Sequence, residues 1–458
     1  MMSYEAMASK RISKARFEAL TFSTQPFVWV FAEVVEWYSD QDENVLGILL
    51  LDRHDNDWGY VILGRDERSL FRGIDTKVSM PDVESARKAL HLRLSFYVVT
   101  GEKVFPQGDE HLRKKFELFS RAVREEELNP NFLFLSDSNG YSSAKELIAE
   151  IAYSFVDPDG NYIQQFQTNG FDARLWELFL YALFHENDFL IDRRFVAPDY
   201  LCVKFDLNIF IEAVTVNPTQ GGDSFPVTPE TEPDPAKLAD YAAIKFGSAL
   251  FSKLQKRYWE LDHVKNHQLV FAIADFHAPQ SMLWTHMALA EYLYGMRSRK
   301  VITTTGTTVE EVSITGHAYG NKIIPSGFFQ QPYSENISAV LFSNSGTISK
   351  FHRMGKIAGF GDQSVKMFRT GKRYDHGEGI IEPTDFSFEI NEWVKETWSE
   401  GVSIFHNPNA KTPLPEESFP LVAHHFIENG RMVSHLPEFF PLVSVTHIFS
   451  ADHSSPVP

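Results

Sequence analysis

Pro198-Asp199-Tyr200-Leu201-Cys202-Val203-Lys204, followed by Asn208-Ile209-Phe210-Ile211-Glu212-Ala213-Val214-Thr215-Val216, is the stretch on which the fold turns. Both runs are rich in apolar, β-branched and aromatic side chains, so they read as two strands of a hairpin. Each carries one acid, Asp199 where the first strand begins and Glu212 midway along the second. A carboxylate inside so apolar a run is costly to bury unless it binds a metal or is hydrogen-bonded. That cost singles out Glu212.

On the N-terminal side of this hairpin, Arg174-Leu-Trp-Glu177 opens an apolar helix over Asp172–Asn187 with Glu177 as the acid at its start. On the other side, Asn217–Pro235 is rich in Pro, Gly and Thr and reads as an exposed loop. A helix at Pro235–Glu260, a buried strand at Gln268–Ala274 and a helix at Ser281–Tyr294 extend the α/β pattern. Thr303–His317 reads as an extended hairpin and Ile337–Phe342 as a short strand. Toward the N-terminus, Phe27–Tyr38, Val45–Asp52 and Gly59–Leu63 are strand-like and separated by turn clusters. Glu110–Glu127 places Leu112, Phe116, Phe119 and Val123 at helical spacing. Asn129–Asn139 reads as a strand and turn, and Ser142 as the N-cap of a helix to Phe155.

The fold class is therefore α/β, a core with a mixed sheet flanked by helices. The expected division is an N-terminal β-rich domain (1–105), a helical connector (106–156), the α/β core (157–345) and an irregular C-terminal extension (346–458). A chain of 458 residues exceeds one ordinary core, which fits several units.

The formal net charge of −18 excludes a broad basic surface, so any nucleic-acid contact must be local or made through metal ions. Cys202 is the single cysteine, which rules out an intramolecular disulfide and a cysteine-based zinc site. The N-terminal residues lack the apolar segment of a secretory signal, and no apolar run is long enough for a membrane span. A cytoplasmic protein without a membrane is the expectation.

Glu177, then Pro198-Asp199, then Glu212-Ala213-Val214, resembles the PD-(D/E)XK nuclease superfamily over residues 170–277. The resemblance implies a restriction-endonuclease-like core in which Glu177, Asp199 and Glu212 bind Mg²⁺ or Mn²⁺ and support phosphodiester hydrolysis in DNA or RNA. It implies nucleic acid as partner, a setting such as restriction or phage defence, and association as a homodimer or with a defence-complex partner. This sequence departs from the pattern at Val214, which stands where the tripeptide lysine belongs. Lys245, Lys253 and Lys256 on the following helix are candidate replacements. Lys253 comes first, because Gly247, Ser248 and Ser252 let that helix approach the sheet; Lys204 alternates away from Asp199. A catalytically silent nuclease-like module that binds nucleic acid or a protein is the alternative that Val214 raises.

Other residues compete for a role. Lys350, Arg353 and Lys356, with Lys366, Arg369, Lys372 and Arg373, form the most basic stretch and are candidate phosphate contacts. His277 ends a strand that could line a site. His406, His424 and His425 lack a convincing zinc spacing and read as structural. No serine-hydrolase elbow, dinucleotide fingerprint or P-loop occurs. Trp29, Trp37 and Trp58 read as core, with a base-stacking surface as the alternative.

Overall fold

The structure is a computed structural model that describes residues 9–26, 31–112, 114–217, 235–276, 285–303, 306–380 and 382–449. Expectations for His277, Trp29 and most of the Asn217–Pro235 loop fall outside these residues.

β1 (Lys10–Arg11), α1 (Lys14–Leu20), β2 (Ala32–Ser39), β3 (Val45–Asp52), β4 (Trp58–Arg65) and β5 (Phe71–Met80) give a five-stranded antiparallel sheet in chain order. The β2–β3 turn is fixed by Asp40, whose Oδ1 accepts from the Val45 amide at 2.9 Å. α2 (Val83–Thr100) starts at an Asp82 cap and ends at Gly101, which takes a left-handed φ of 68°. Ala86, Leu90 and Leu94, at i, i+4 and i+8, bury one stripe of α2 against Leu49, Tyr60 and Ile62. The alternate sheet residues, Leu46, Ile48 and Leu50, face the other way and join the main core. The β-rich N-terminal unit is thus a layer between α2 and the body.

The connector departs from expectation. Among the described residues of 110–127 the helical segments are two short 3₁₀ turns, Glu110–Leu112 and Glu125–Glu127. The reason is Gln167, whose side-chain amide donates to the Leu118 and Ser120 carbonyls while its Oε1 accepts from the Ala122 amide. Those backbone groups are committed outside any helical ladder, and the apolar spacing serves a loop packed on the core. Residues expected as a strand form α3 (Pro130–Asp137) instead, with Asn129 capping Asn131 and proline in the first turn. α4 (Ser142–Ser154), α5 (Tyr162–Gln167) and α6 (Phe171–Glu186) follow. Every residue of α6 from Leu175 to Phe184 is buried, as a helix apolar all round requires.

The main sheet begins with β6 (Leu190–Asp192), β7 (Tyr200–Lys204) and β8 (Leu207–Val216), then passes through α7 (Pro235–Leu254), β9 (Gln268–Asp275) and α8 (His286–Tyr294). Two hairpins come next, β10 (Met296–Thr303) with β11 (Gly306–Ser313), and β12 (Gly316–Tyr319) with β13 (Lys322–Pro325). β14 (Ala339–Ser343), α9 (Ile348–Ile357), β15 (Lys366–Arg373), β16 (Thr384–Glu389), β17 (Val402–His406), β18 (Ala423–Glu428), β19 (Arg431–His435) and β20 (Pro441–Phe449) complete the described chain.

Eight of these strands make one mixed sheet in the order β19-β18-β17-β14-β9-β8-β7-β6. β6, β7 and β8 are an antiparallel meander, and β8, β9 and β14 run parallel. The two faces separate by alternation. Ile211, Val270, Ala272 and Leu341 pack with α6, whereas Phe210, Val214, Phe271 and Val340 pack with α7 and α8. The expected boundary at 345 is corrected here: β17, β18 and β19 belong to the same sheet. β17, buried at every residue, sits against β14, so the core runs well into the supposed extension. Only β15, β16 and β20 form a separate three-stranded sheet.

Candidate functional site

The β7–β8 hairpin turns through Phe205, which holds a left-handed φ of 52°. Its register pairs Tyr200 with Ile211, which sets Asp199 alongside the Glu212–Ala213 peptide. Asp199 Oδ2 accepts from the Ala213 amide at 2.8 Å. The acid at the head of β7 is thereby pinned to the middle of β8.

Glu212 is 5% exposed and points to the α7 face, as does Val214 two residues on. Its Oε1 accepts from Lys253 Nζ at 2.5 Å and from the Tyr258 hydroxyl at 2.7 Å. Lys253 lies at the C-terminal end of α7. The helix stops at Leu254 rather than running on to Glu260, because Arg257 takes a left-handed φ of 51°. A 3₁₀ turn, Tyr258–Glu260, follows and swings the Tyr258 ring back under the sheet. Burial, then the nearby Asp199 charge, raises the Glu212 pKa to about 7 against the opposing pull of Lys253 and Tyr258. Burial, and then Glu212, also pushes the Tyr258 hydroxyl up, so it stays a donor.

Glu177 lies on α6, across the sheet from Glu212. Burial raises its pKa, Arg193 and Arg174 lower it, and Asp199 raises it further. Asp199 is therefore within electrostatic reach of both other acids. Yet each Glu177 oxygen already faces a guanidinium: Oε1 meets Arg174 Nη1 at 2.6 Å and Oε2 meets Arg193 Nη2 at 2.8 Å. Arg193 stacks over the Phe155 and Tyr200 rings, and the Tyr200 hydroxyl donates to the Glu177 carbonyl. This network satisfies Glu177 and separates it from the other two acids.

Divalent magnesium commonly binds through one or two carboxylates and retains several waters. Asp199 Oδ1 and Glu212 Oε2 accept no hydrogen bond from the described residues, so this pair fits such an ion. Glu177, with its charge already balanced, does not. Among the described residues, the one trio of potential ligands with atoms within 4.8 Å is Asp66, Asp109 and Glu110 in the N-terminal unit. Asp66 and Asp109 there are ion-paired to Arg68 and Arg72.

Of the other lysines, Lys204 Nζ donates to the Asn187 carbonyl and is engaged away from the acids. Burial and then the Lys322 charge lower the Lys245 pKa, against the opposing pull of Asp275, and Lys256 is exposed. The basic stretch is corrected. Lys350 and Arg353 are 1% and 5% exposed on α9, where both bind Glu396, and Arg369 joins them. They form an internal ion cluster and present no surface to a phosphate. Lys356 Nζ reaches the Asp362 and Gln363 carbonyls at 3.5 and 3.2 Å. His406 Nε2 bonds His424 Nδ1 at 2.9 Å and His425 bonds Ser403 and Ser434, so these imidazoles satisfy one another and neighbouring hydroxyls.

Sequence reasoning missed Tyr258 and the two arginines on Glu177. Arg174, three residues before Glu177 on one helix face, was legible as a partner. Arg193 and Tyr258 arrive through tertiary packing and left no local signal.

Comparison with protein-family models, with curated proteins and with solved structures finds no match. No described helix is long and apolar enough to cross a membrane.

Proposed function

We propose that this chain is a Mg²⁺- or Mn²⁺-dependent nuclease whose restriction-endonuclease-like core hydrolyses phosphodiester bonds in DNA or RNA. The observation that carries the reading is Lys253 Nζ on the Glu212 carboxylate, with Asp199 alongside on the neighbouring strand. Val214 removes the strand lysine, and a helix lysine reaches the same acid from α7. The order of helix, three-stranded meander, helix and parallel strand from α6 to β9 gives that constellation a mixed sheet to stand on.

In this reading Asp199 and Glu212 would hold the cation. When bound, it would polarise the phosphoryl oxygen and acidify a water. Lys253 orients that water or stabilises the charge that develops on the phosphoryl group. The Tyr258 hydroxyl fixes the Glu212 rotamer by holding Oε1, which leaves Oε2 for the ion. Arg193 and Arg174 neutralise Glu177 and keep the α6 face rigid beneath Asp199.

A second reading, a silent nuclease-like module, is favoured by the engagement of Glu177 with two arginines. The two readings separate in one assay. Labelled duplex DNA, single-stranded DNA and RNA are incubated with Mg²⁺ or Mn²⁺ and either the wild type or Glu212→Ala. The nuclease gives metal-dependent cleavage that the substitution abolishes. Folded wild-type protein that cleaves none of the three substrates overturns it in favour of the silent module.

A further inference from the structure

The turn that delivers Tyr258 to Glu212 also carries Arg257, which is exposed, and Trp259, which is half-buried against the core beneath α7. Arg257 Cζ sits 4.8 Å over the ring of Tyr333, and Trp259 stacks on the same ring at 6.4 Å with 20° between planes. Tyr333 is 48% exposed and the Arg257 side chain 45%. Both residues hold left-handed backbones, φ 73° for Tyr333 and 51° for Arg257, a conformation unfavourable for bulky side chains. Strain of that kind persists where surrounding structure enforces it, and it clusters at ligand-binding positions. Here it presents a half-exposed aromatic ring with a guanidinium over one face.

The charge around this ledge differs from the body of the molecule. Lys256 is exposed beside Arg257, and Lys411 reaches Glu335 and Asn336 on the turn that follows Tyr333. Glu260 pairs with Arg257 and Glu335 with Lys411, which brings the ledge near neutrality on a chain of net charge −18. A duplex presents its phosphates outward and asks for a basic footprint that this chain lacks. A single strand with unstacked bases is held by ring stacking and a neighbouring guanidinium together with cations along its backbone. Arg257 and Lys256 are the exposed cations beside this ring.

We propose that Tyr333, Trp259 and Arg257 form a base-stacking ledge that binds single-stranded nucleic acid and feeds it to the Asp199–Glu212 site. This rests on the nuclease reading for the site, but not for the binding. Arg257, Tyr258 and Trp259 are consecutive, with Cα atoms about 3.8 Å apart, so the ledge and the Glu212 contact leave the same turn.

The test is fluorescence anisotropy on the full chain with fluorescein-labelled oligothymidylate and a labelled duplex of equal length, in EDTA to suppress metal-dependent cleavage. The single strand is expected to bind at least ten-fold more tightly than the duplex. Tyr333→Ala is expected to weaken single-strand binding about ten-fold or more, while Tyr333→Phe retains it. Duplex binding equal to single-strand binding, no binding at all, or Tyr333→Ala binding like wild type would each overturn the ledge. Metal-dependent cleavage that persists in Tyr333→Ala with unchanged affinity would refute the ledge and leave the nuclease reading intact. Ring-dependent binding without cleavage of any substrate would do the reverse.

Discussion

Lys253 Nζ lies 2.5 Å from Glu212 Oε1 although 41 residues separate the two along the chain. The contact crosses from the end of α7 to the middle of β8. It puts one ammonium on a carboxylate that is otherwise buried among apolar side chains. In the proposed reaction Lys253 acts on the water or on developing charge, a contribution concentrated in the transition state. Lys253→Ala is therefore expected to slow single-turnover cleavage by about 10²- to 10³-fold with little change in substrate affinity. The side chain is 31% exposed, so the fold tolerates the change. A rate within a factor of two of wild type would remove Lys253 from the mechanism.

Removing the charge of Glu212 is expected to stabilise the protein in metal-free alkaline buffer. Its folded pKa is raised from the ordinary carboxylate range to about 7, chiefly by burial and then by Asp199. A carboxyl with a raised folded pKa contributes stability below its unfolded pKa and loses that contribution as pH rises through the folded value. Wild type should thus lose stability between about pH 4.5 and above 7 on account of this residue. Glu212→Gln, measured by thermal unfolding in EDTA, should gain more relative to wild type at pH 8 than at pH 5. An equal difference at both values would mean Glu212 is ionised throughout.

Glu212 and Glu177 stood out in the sequence because each is an exception to a strong local pattern. Glu212 interrupts a β-branched strand, and Glu177 interrupts an apolar helix. The strands and helices from α6 to α8 were legible for the same reason, since their periodicities are set by one buried face or two. What failed was decided at a distance. The apolar spacing across 112–123 is helical, yet Gln167 takes its backbone groups from another element. The density of Lys and Arg in 350–369 suggested a phosphate surface, because sequence alone does not show that Glu396 draws three of those cations inward. The run from Val402 to His406 is short, preceded by Gly401 and followed by Asn407-Pro408-Asn409, so nothing local marked it as an inner strand of the main sheet.

The Glu396 cluster makes a specific stability prediction. One carboxylate serves Lys350 at 2.7 Å, Arg353 at 2.8 Å and Arg369 at 3.5 Å, all deep in the molecule. Burial raises the Glu396 pKa, but Arg353, Lys350 and Arg369 outweigh it and hold the group well below the ordinary range. Removing one member of a buried ion pair leaves the others uncompensated, at a cost of about 3–5 kcal/mol. Glu396→Ala is expected to reduce unfolding free energy in urea by about that amount. A loss below about 1 kcal/mol would mean that water enters and solvates the three cations.

The imidazoles buried in and beside the main sheet predict acid sensitivity. His286 and His425 share the Ser403 hydroxyl at 3.0 and 3.2 Å. Burial depresses the His286 pKa to about 4; burial, then the neighbouring imidazoles, depresses His425 to about 3. His406, depressed to about 3 mainly by burial, adds to the effect. Neutral in the fold and chargeable once unfolded, these groups stabilise fully above their ordinary pKa of about 6.5 and lose that contribution as pH falls toward the folded values. Buried carboxyls oppose the trend: Glu212, raised to about 7, does so across the window, as do Glu177 and Glu186, whose pKa values burial raises. The test is thermal unfolding at pH 7.5, 6.5 and 5.5 for wild type and His425→Gln. On lowering the pH, wild type should lose more melting temperature than His425→Gln, because the substitution removes one proton taken up on unfolding. Parallel slopes would show that His425 is already protonated in the fold, which the Ser403 and Ser434 contacts alone would then have to accommodate.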